Sequence, residues 1–324
     1  MRPRNVVLQG EALSVLRTLP AGSVDCVVTS PPYLGVRDYG VDGQLGMEAS
    51  VDEWVENLRA VASEVTRVLA PWGAFWLNVA DAYARRQSDG ALPKSLLLGP
   101  ERLGRALLDD GWIVRNRLAW TKPNPLPASV ADRLTPSWEF VYFLVRQRFY
   151  FFDLDAIRVP LLRPAAPARK RGAENCEQQG RLGNRRAGLA RMKEQGMAGH
   201  PLGKNPGDAW HIPGARTRGH SATFPAELIR RPLLATCPEK VCLGCGKPWE
   251  RAKHPVRFVR GEPRPRALVP CGCGVATRPG LVLDPFMGSG TVAVVAERHG
   301  RDWLGIELNP EYIALTQQRL ARKA

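Results

Sequence analysis

Two short clusters near opposite ends of the chain hold side chains suited to handling charge and flat ligands: Ser30-Pro31-Pro32-Tyr33, and Asp284-Pro285-Phe286-Met287-Gly288-Ser289-Gly290-Thr291. In the first, the Ser30 hydroxyl and the Pro31 carbonyl offer hydrogen-bond acceptors, and consecutive prolines stiffen the backbone so that a carbonyl keeps its aim. Tyr33 offers a ring on which a planar ligand can stack. In the second, Gly288 and Gly290 remove the side chains that would keep backbone away from a ligand. The helix expected behind them supplies unpaired N–H groups. About one βαβ crossover later stands Glu307, placed as the acceptor for two ribose hydroxyls usually is. This is the chemistry of a nucleoside-bearing cofactor meeting a second, flat substrate.

A third cluster points to a metal. Cys242-Leu243-Gly244-Cys245 and Cys271-Gly272-Cys273 are short glycine-bearing turns, and four thiolates from two such turns make a tetrahedral site that favours structural Zn2+. The second pair is C-x-C rather than the commoner C-x-x-C. Cys237 and His254 stand near enough in sequence to substitute as ligands. An odd total of seven cysteines argues against a disulfide framework.

The elements that must position these groups follow from periodicity. Residues 24–28 and 281–283 are apolar, β-branched runs that read as buried strands, so both loops leave strand carboxyl ends, where open α/β sheets place ligands. Residues 51–69 carry Trp54, Val55, Leu58, Val61, Ala62, Val65 and Leu69 at helical spacing, with Pro71 and Gly73 expected to end the helix ahead of a strand at 74–79. Further strands at 112–120 and 140–146 and helices at 97–109, 225–235, 291–299 and 310–322 complete an alternating α/β pattern with a largely parallel sheet. The division expected is 1–160 for a catalytic half, 161–210 for a basic segment, 211–236 with 278–324 for a cofactor half, and 237–277 for a cysteine-rich, zinc-ribbon-like insertion.

The 324 residues carry 46 Lys and Arg against 31 Asp and Glu, a formal net charge of +15. Such an excess favours a polyanionic partner, because neutralising phosphates releases counterions. Residues 161–210 are basic, Gly-rich and aperiodic and cannot build a core alone. Arg251, Lys253, Arg257, Arg260, Arg264 and Arg266 would make the cysteine-rich stretch basic as well. No apolar run is long enough to span a membrane and the first residues lack a secretory signal pattern, which points to the cytosol.

With these motifs in hand, the chain resembles the beta group of S-adenosylmethionine-dependent DNA amino-methyltransferases over most of its length. Residues 29–33 match the catalytic motif and Phe286-Met287-Gly288-Ser289-Gly290 the cofactor loop. Between them, Trp120-Thr121-Lys122-Pro123-Asn124 followed by Glu139-Phe140-Val141-Tyr142-Phe143 is similar to a mid-chain signature of the family, and His220-Ser221-Ala222-Thr223-Phe224-Pro225 to a segment ahead of the cofactor loop.

The resemblance implies a Rossmann-like methyltransferase sheet in circularly permuted motif order. It places Asp284, Pro285, Phe286, Gly288, Ser289, Gly290 and Thr291 around S-adenosyl-L-methionine, with Glu307 on the ribose, Phe224 approaching from the opposite side and Glu11 near the adenine. It assigns Ser30, Pro31, Pro32 and Tyr33 to the exocyclic amino group of a base flipped out of double-stranded DNA. Serine at the head of this motif is commoner among cytosine-N4 enzymes and aspartate among adenine-N6 enzymes, so cytosine N4 is favoured, with adenine N6 the alternative. A zinc-bearing, non-catalytic DNA-binding protein is the competing reading. Attack on carbon 5 of cytosine would need a cysteine nucleophile and would leave the Ser30 motif unexplained. The resemblance also implies a homodimer, a companion restriction endonuclease, and a nucleoid-associated bacterial or phage-type setting.

Overall fold

The computed structural model describes residues 3–125, 127–160, 200–215, 224–253, 256–259 and 262–322. Most of the 161–210 segment therefore lies outside the described residues, as do His220, His254 and Cys176. The first elements are β1 (Val6–Gln9), α1 (Ala12–Thr18), β2 (Val24–Thr29), α2 (Val51–Val68), β3 (Leu69–Val79), α3 (Gly99–Asp109), β4 (Ile113–Thr121), β5 (Trp138–Val145) and β6 (Ala209–His211). They are followed by α4 (Ala226–Thr236), β7 (Val241–Cys242), β8 (Glu250–Arg251), β9 (Arg257–Val259), β10 (Glu262–Arg264), β11 (Leu268–Val269) and β12 (Thr277–Arg278). The last are β13 (Leu281–Asp284), α5 (Thr291–Arg298), β14 (Asp302–Glu307) and α6 (Pro310–Ala321).

Contacts divide the chain into two compact units. The larger comprises Met1–Asp153, Gly207–Glu250 and Pro270–Ala324 and is organised on an eight-stranded sheet of order β1-β14-β13-β2-β3-β5-β4-β6. The run from β1 to β3 is parallel, whereas β5 is antiparallel to both β3 and β4. With β4 and β6 also parallel, five of the seven strand pairs run parallel, so the sheet is mixed but largely parallel as expected, β5 being the strand that runs against its neighbours.

Strand side chains alternate between two apolar cores, as a two-residue period requires. Phe75, Leu77 and Val79 of β3 join Trp54, Leu58 and Val65 of α2 and Leu103 and Leu107 of α3 on one face. Ala74 and Trp76 join Leu228 and Leu233 of α4 and Val292 and Val295 of α5 on the other. Both faces being covered explains why these strands read as unbroken apolar runs.

Helix α2 forms where its periodicity places it. Ser50 accepts from Glu53 N–H at 3.2 Å, Asp52 and Glu53 occupy the positive first turn, and the expected apolar stripe is buried. Its end differs from expectation. The helix stops at Val68, and Pro71 and Gly73 lie inside β3 rather than terminating the helix. Between the pairs Val24↔Leu69 and Cys26↔Ala74 the register shifts, so these residues occupy a bulge where an absent N–H costs little. A Cβ on Gly73 would stand 2.9 Å from the Asp25 carbonyl, which explains the glycine.

The smaller unit comprises Leu154–Pro206 and Arg251–Val269. Its buried Asp155 accepts from Arg158 at 3.1 Å and from Arg266 at 2.6 Å, and Arg264 pairs with Glu262 at 2.8 Å. Arg264 and Arg266, two of the residues that make this stretch basic, are thereby paired within the unit. No helix among the described residues is long and apolar enough to cross a membrane.

Candidate active site

Strands β2 and β13 are parallel neighbours, with Val282 opposite Cys26 and Leu283 opposite Val27. The chain leaves β2 toward β3 on one side and β13 toward β14 on the other, so a crevice opens at their carboxyl ends. The next two strands, β14 and β1, end beside it and deliver Glu307 and Gly10-Glu11. One cleft is consequently lined by Ser30, Pro32, Phe286, Gly288, Glu307 and Phe224, together with Glu11, Pro285, Ser289 and Thr291.

A hydrogen bond ties the two loops directly. Thr29 Oγ1, the last residue of β2, donates to Asp284 Oδ1 at 2.5 Å, and the Phe286 N–H donates to the same oxygen at 3.0 Å. The other carboxylate oxygen, Asp284 Oδ2, is buried without a hydrogen-bond partner among the described residues. Burial pushes this carboxyl up from 3.8 to about 7. An unpaired buried carboxylate oxygen suits a cationic ligand group such as an ammonium.

Glu307 takes the Gly288 N–H at 2.7 Å on Oε2 and the Asn309 N–H at 2.8 Å on Oε1, and burial raises its pKa. These bonds fix the carboxylate at the cleft wall and leave lone pairs for ligand hydroxyls. Gly288 (φ 51°) and Gly290 (φ 75°) lie in left-handed backbone. At Gly290 a Cβ would collide with the Thr316 side chain, so this glycine serves the packing of α6 behind the loop as well as its conformation. Glu11 borders the cleft but is committed locally: its two oxygens accept the Leu13 and Ser14 N–H groups at 2.7 Å and cap α1.

The loop that follows β2 is anchored from below. Buried Trp54 donates through Nε1 to the Pro32 carbonyl at 3.0 Å. Pro31 lines a small apolar hollow with Leu58, Val61, Leu103 and Pro285. The Tyr33 hydroxyl lies 3.0 Å from Ser30 Oγ and donates to Glu139 Oε2 at 2.8 Å. Burial, with the Glu139 charge adding to it, raises the tyrosine pKa well above its ordinary value.

Sequence reasoning missed several cleft residues. Tyr39 and Tyr312 meet edge to face with centroids 6.2 Å apart at the cleft mouth, one from an irregular loop and one from α6, and no sequence spacing links them. Asn309 caps α6 by accepting from Glu311 N–H at 2.9 Å, which the Asn-Pro pair ahead of the final helix could have signalled.

The four cysteines converge. The Sγ atoms of Cys242, Cys245, Cys271 and Cys273 all lie within 4.8 Å of one another. Strand β7 pairs with β12, and the Gly246 N–H to Cys242 carbonyl bond at 3.0 Å closes the first turn. The Cys245 backbone N–H holds the Cys242 thiol down to about 6, while the three neighbouring cysteines push Cys273 up to about 12. So crowded a set of soft donors fits a tetrahedral thiophilic cation. Cys237 is outside it, fully buried at the end of α4 in the second core.

The model of one protein family, described as DNA methylase, matches residues 24–318. The Type II methyltransferase M.Cfr9I of Citrobacter freundii is 34% identical over 337 residues, covering 97% of this chain and 87% of the relative. Among solved structures, the PvuII DNA methyltransferase, titled cytosine-N4-specific, aligns with a TM-score of 0.57 at 20% identity over 98% of this chain and 87% of that one. The TTHA0409 protein of Thermus thermophilus, solved with S-adenosyl-L-methionine, aligns at 0.53 and 22% identity over 97% of this chain and 94% of its own. At these identities the two structures show a shared fold.

Proposed function

The chain belongs to the DNA methylase family, and from that premise we propose that it methylates the N4 amino group of a cytosine rotated out of duplex DNA at a short specific sequence. The observation that carries this is the pairing of β2 with β13, which brings Ser30 and Gly288 to one cleft across most of the chain. Bound S-adenosylmethionine supplies an electrophilic methyl group on a sulfonium centre. Glu307 would hold the ribose hydroxyls, and the orphaned Asp284 oxygen would complement the ammonium of the methionine part. Phe286 and Phe224 wall the cleft and would shield the reacting atoms from water.

An exocyclic amino group is a weak nucleophile because its lone pair is delocalised into the ring. Acceptors at Ser30 Oγ and the Pro31 carbonyl favour its pyramidal form and stabilise the positive charge that develops on nitrogen. The Tyr33 ring is suited to stack on the extruded base. The serine heading the motif, and the fold shared with the PvuII enzyme, favour cytosine N4 over adenine N6. Catalytic motif ahead of cofactor loop is the permuted order of the beta group.

The same reading extends outward. The net charge of +15 suits DNA, and the basic 161–210 segment would contribute to target recognition. The cysteine cluster would bind one structural Zn2+ and fix a knuckle too small to hold itself by burial. A homodimer, a companion restriction endonuclease and a nucleoid location accompany the proposal. The test is expression in a host lacking amino-methylated DNA, then nucleoside mass analysis and context sequencing. N4-methylcytosine in one short sequence is expected. N6-methyladenine would correct the base, and no modified nucleoside together with no transfer from labelled cofactor would support a non-catalytic DNA-binding protein.

A further inference from the structure

Behind the catalytic loop lies a buried polar chain that the reading above leaves unused. Glu139, at the start of β5, has a side chain only 11% exposed and forms an ion pair through Oε1 with Lys122, which follows β4. Its other oxygen, Oε2, accepts from the Tyr33 hydroxyl at 2.8 Å and from Asn78 Nδ2 at 3.1 Å. Asn78 is itself held by donation to the Phe140 carbonyl at 3.0 Å. The Tyr33 oxygen lies 3.0 Å from Ser30 Oγ, and Ser30 borders the cleft.

Hydroxyl groups have one proton each, so this geometry fixes a direction. The Tyr33 proton is drawn to the charged acceptor, because hydrogen bonds to an ionised group are about twice as strong as neutral ones. Asn78 Oδ1, 3.2 Å away, is a neutral and more distant acceptor for that proton, so toward Ser30 the Tyr33 oxygen is an acceptor and the Ser30 hydroxyl proton points inward to it. What Ser30 turns toward the cleft is lone pairs.

We propose that Glu139 is a positioning residue for methyl transfer: through Tyr33 it orients the Ser30 hydroxyl so that the serine meets the target amino group as an acceptor and not as a donor. A base presenting an amino N–H is thereby favoured over one presenting a carbonyl at the same place, since donor and acceptor patterns then match. The carboxylate also sets a negative charge three hydrogen bonds from the nitrogen that becomes positive. Lys122 and Asn78 hold the carboxylate in place. The inference rests on the methyltransferase reading and adds a residue to it that touches neither substrate.

The test is single-turnover methyl transfer at saturating cofactor and DNA, with both affinities and the melting temperature measured for each variant. Wild-type transfer reads the methyltransferase assignment by itself; if the wild type transfers nothing, that assignment falls and the positioning role with it. Given wild-type transfer, E139Q is expected to be about 100-fold slower with cofactor and DNA affinities within threefold of wild type. Y33F keeps the ring but cuts the chain, so it should lose a similar factor, and E139Q/Y33F should be no slower than the slower single variant. An E139Q rate within threefold of wild type, or losses that multiply in the double variant, would overturn the positioning role while leaving the methyltransferase reading intact.

Discussion

The cleft and the cysteine knuckle both gather distant residues, but they do so by different means. In the cleft, Thr29 and Asp284 meet because β2 and β13 pair at Cys26–Val27 and Val282–Leu283, and the hydrogen bond between them follows from that register. In the knuckle, Cys242 and Cys245 are brought together by one closed turn, Cys271 and Cys273 by their short spacing, and the two halves are joined by the short β7–β12 pairing and the Leu243 N–H to Ala276 carbonyl bond at 3.0 Å. The cleft is thus carried by a sheet with both faces buried. The knuckle is small, and three of its four cysteines are exposed, so it buries little of itself, and the proposed Zn2+ would supply the order that burial does not. A site built on a packed sheet can be tuned residue by residue, whereas a site built on turns would stand or fall with the ion proposed for it.

The sharpest challenge to this contrast is at Ser30. S30A should lower the transfer rate about 100- to 1000-fold with little change in cofactor affinity or melting temperature, as loss of one preorganised acceptor does. Equal loss of rate and affinity in parallel kinetic and binding measurements would break the assignment.

Next is D284N, read as stability against pH. The Asp284 carboxyl has a folded-state pKa of about 7, above the ordinary 3.8. Its favourable contribution is therefore fully present below the unfolded value and lost as pH rises through about 7. Denaturant titrations should show cofactor-free wild type losing stability relative to D284N across that window, by on the order of a few kcal/mol. Cofactor should oppose the loss in wild type only, if its ammonium pairs with this carboxylate. A flat difference would remove Asp284 from that role.

A smaller effect is expected at Glu307. E307A should weaken cofactor binding about 30-fold, near 2 kcal/mol, in calorimetry, with the rate at saturation less affected. An unchanged affinity would take Glu307 off the ribose.

The smallest effect tests the independence of the two regions. Elemental analysis should find one zinc per chain, and chelation should disorder the knuckle while changing cofactor affinity less than threefold. A large drop in cofactor affinity on chelation would show that the cleft depends on the knuckle after all.

Much of this was legible in the chain. The stripe of α2 and the run of β2 stand out because burial on one face or both leaves a periodic trace in the residues themselves. Pro71 and Gly73 misled because the same residues that stop a helix also suit a strand bulge, and only the partner strand distinguishes the two. The antiparallel insertion of β5 left no trace, since a buried strand is apolar whichever way it runs. Glu139 was visible only as part of a motif. Its link to Tyr33 spans more than a hundred residues and exists because β3 and β5 are neighbours.

The sequence alone therefore determined which chemical groups exist, which loops follow strands, and that the chain is basic with a thiol-rich turn, because these are local properties of composition and spacing. Only the tertiary structure decided that Asp284 bonds to Thr29, that one carboxylate oxygen is left unpaired, and that Glu139 stands behind Ser30. Those relations depend on strand order and register, which arise when the whole sheet closes on its two cores and which no short stretch of chain encodes.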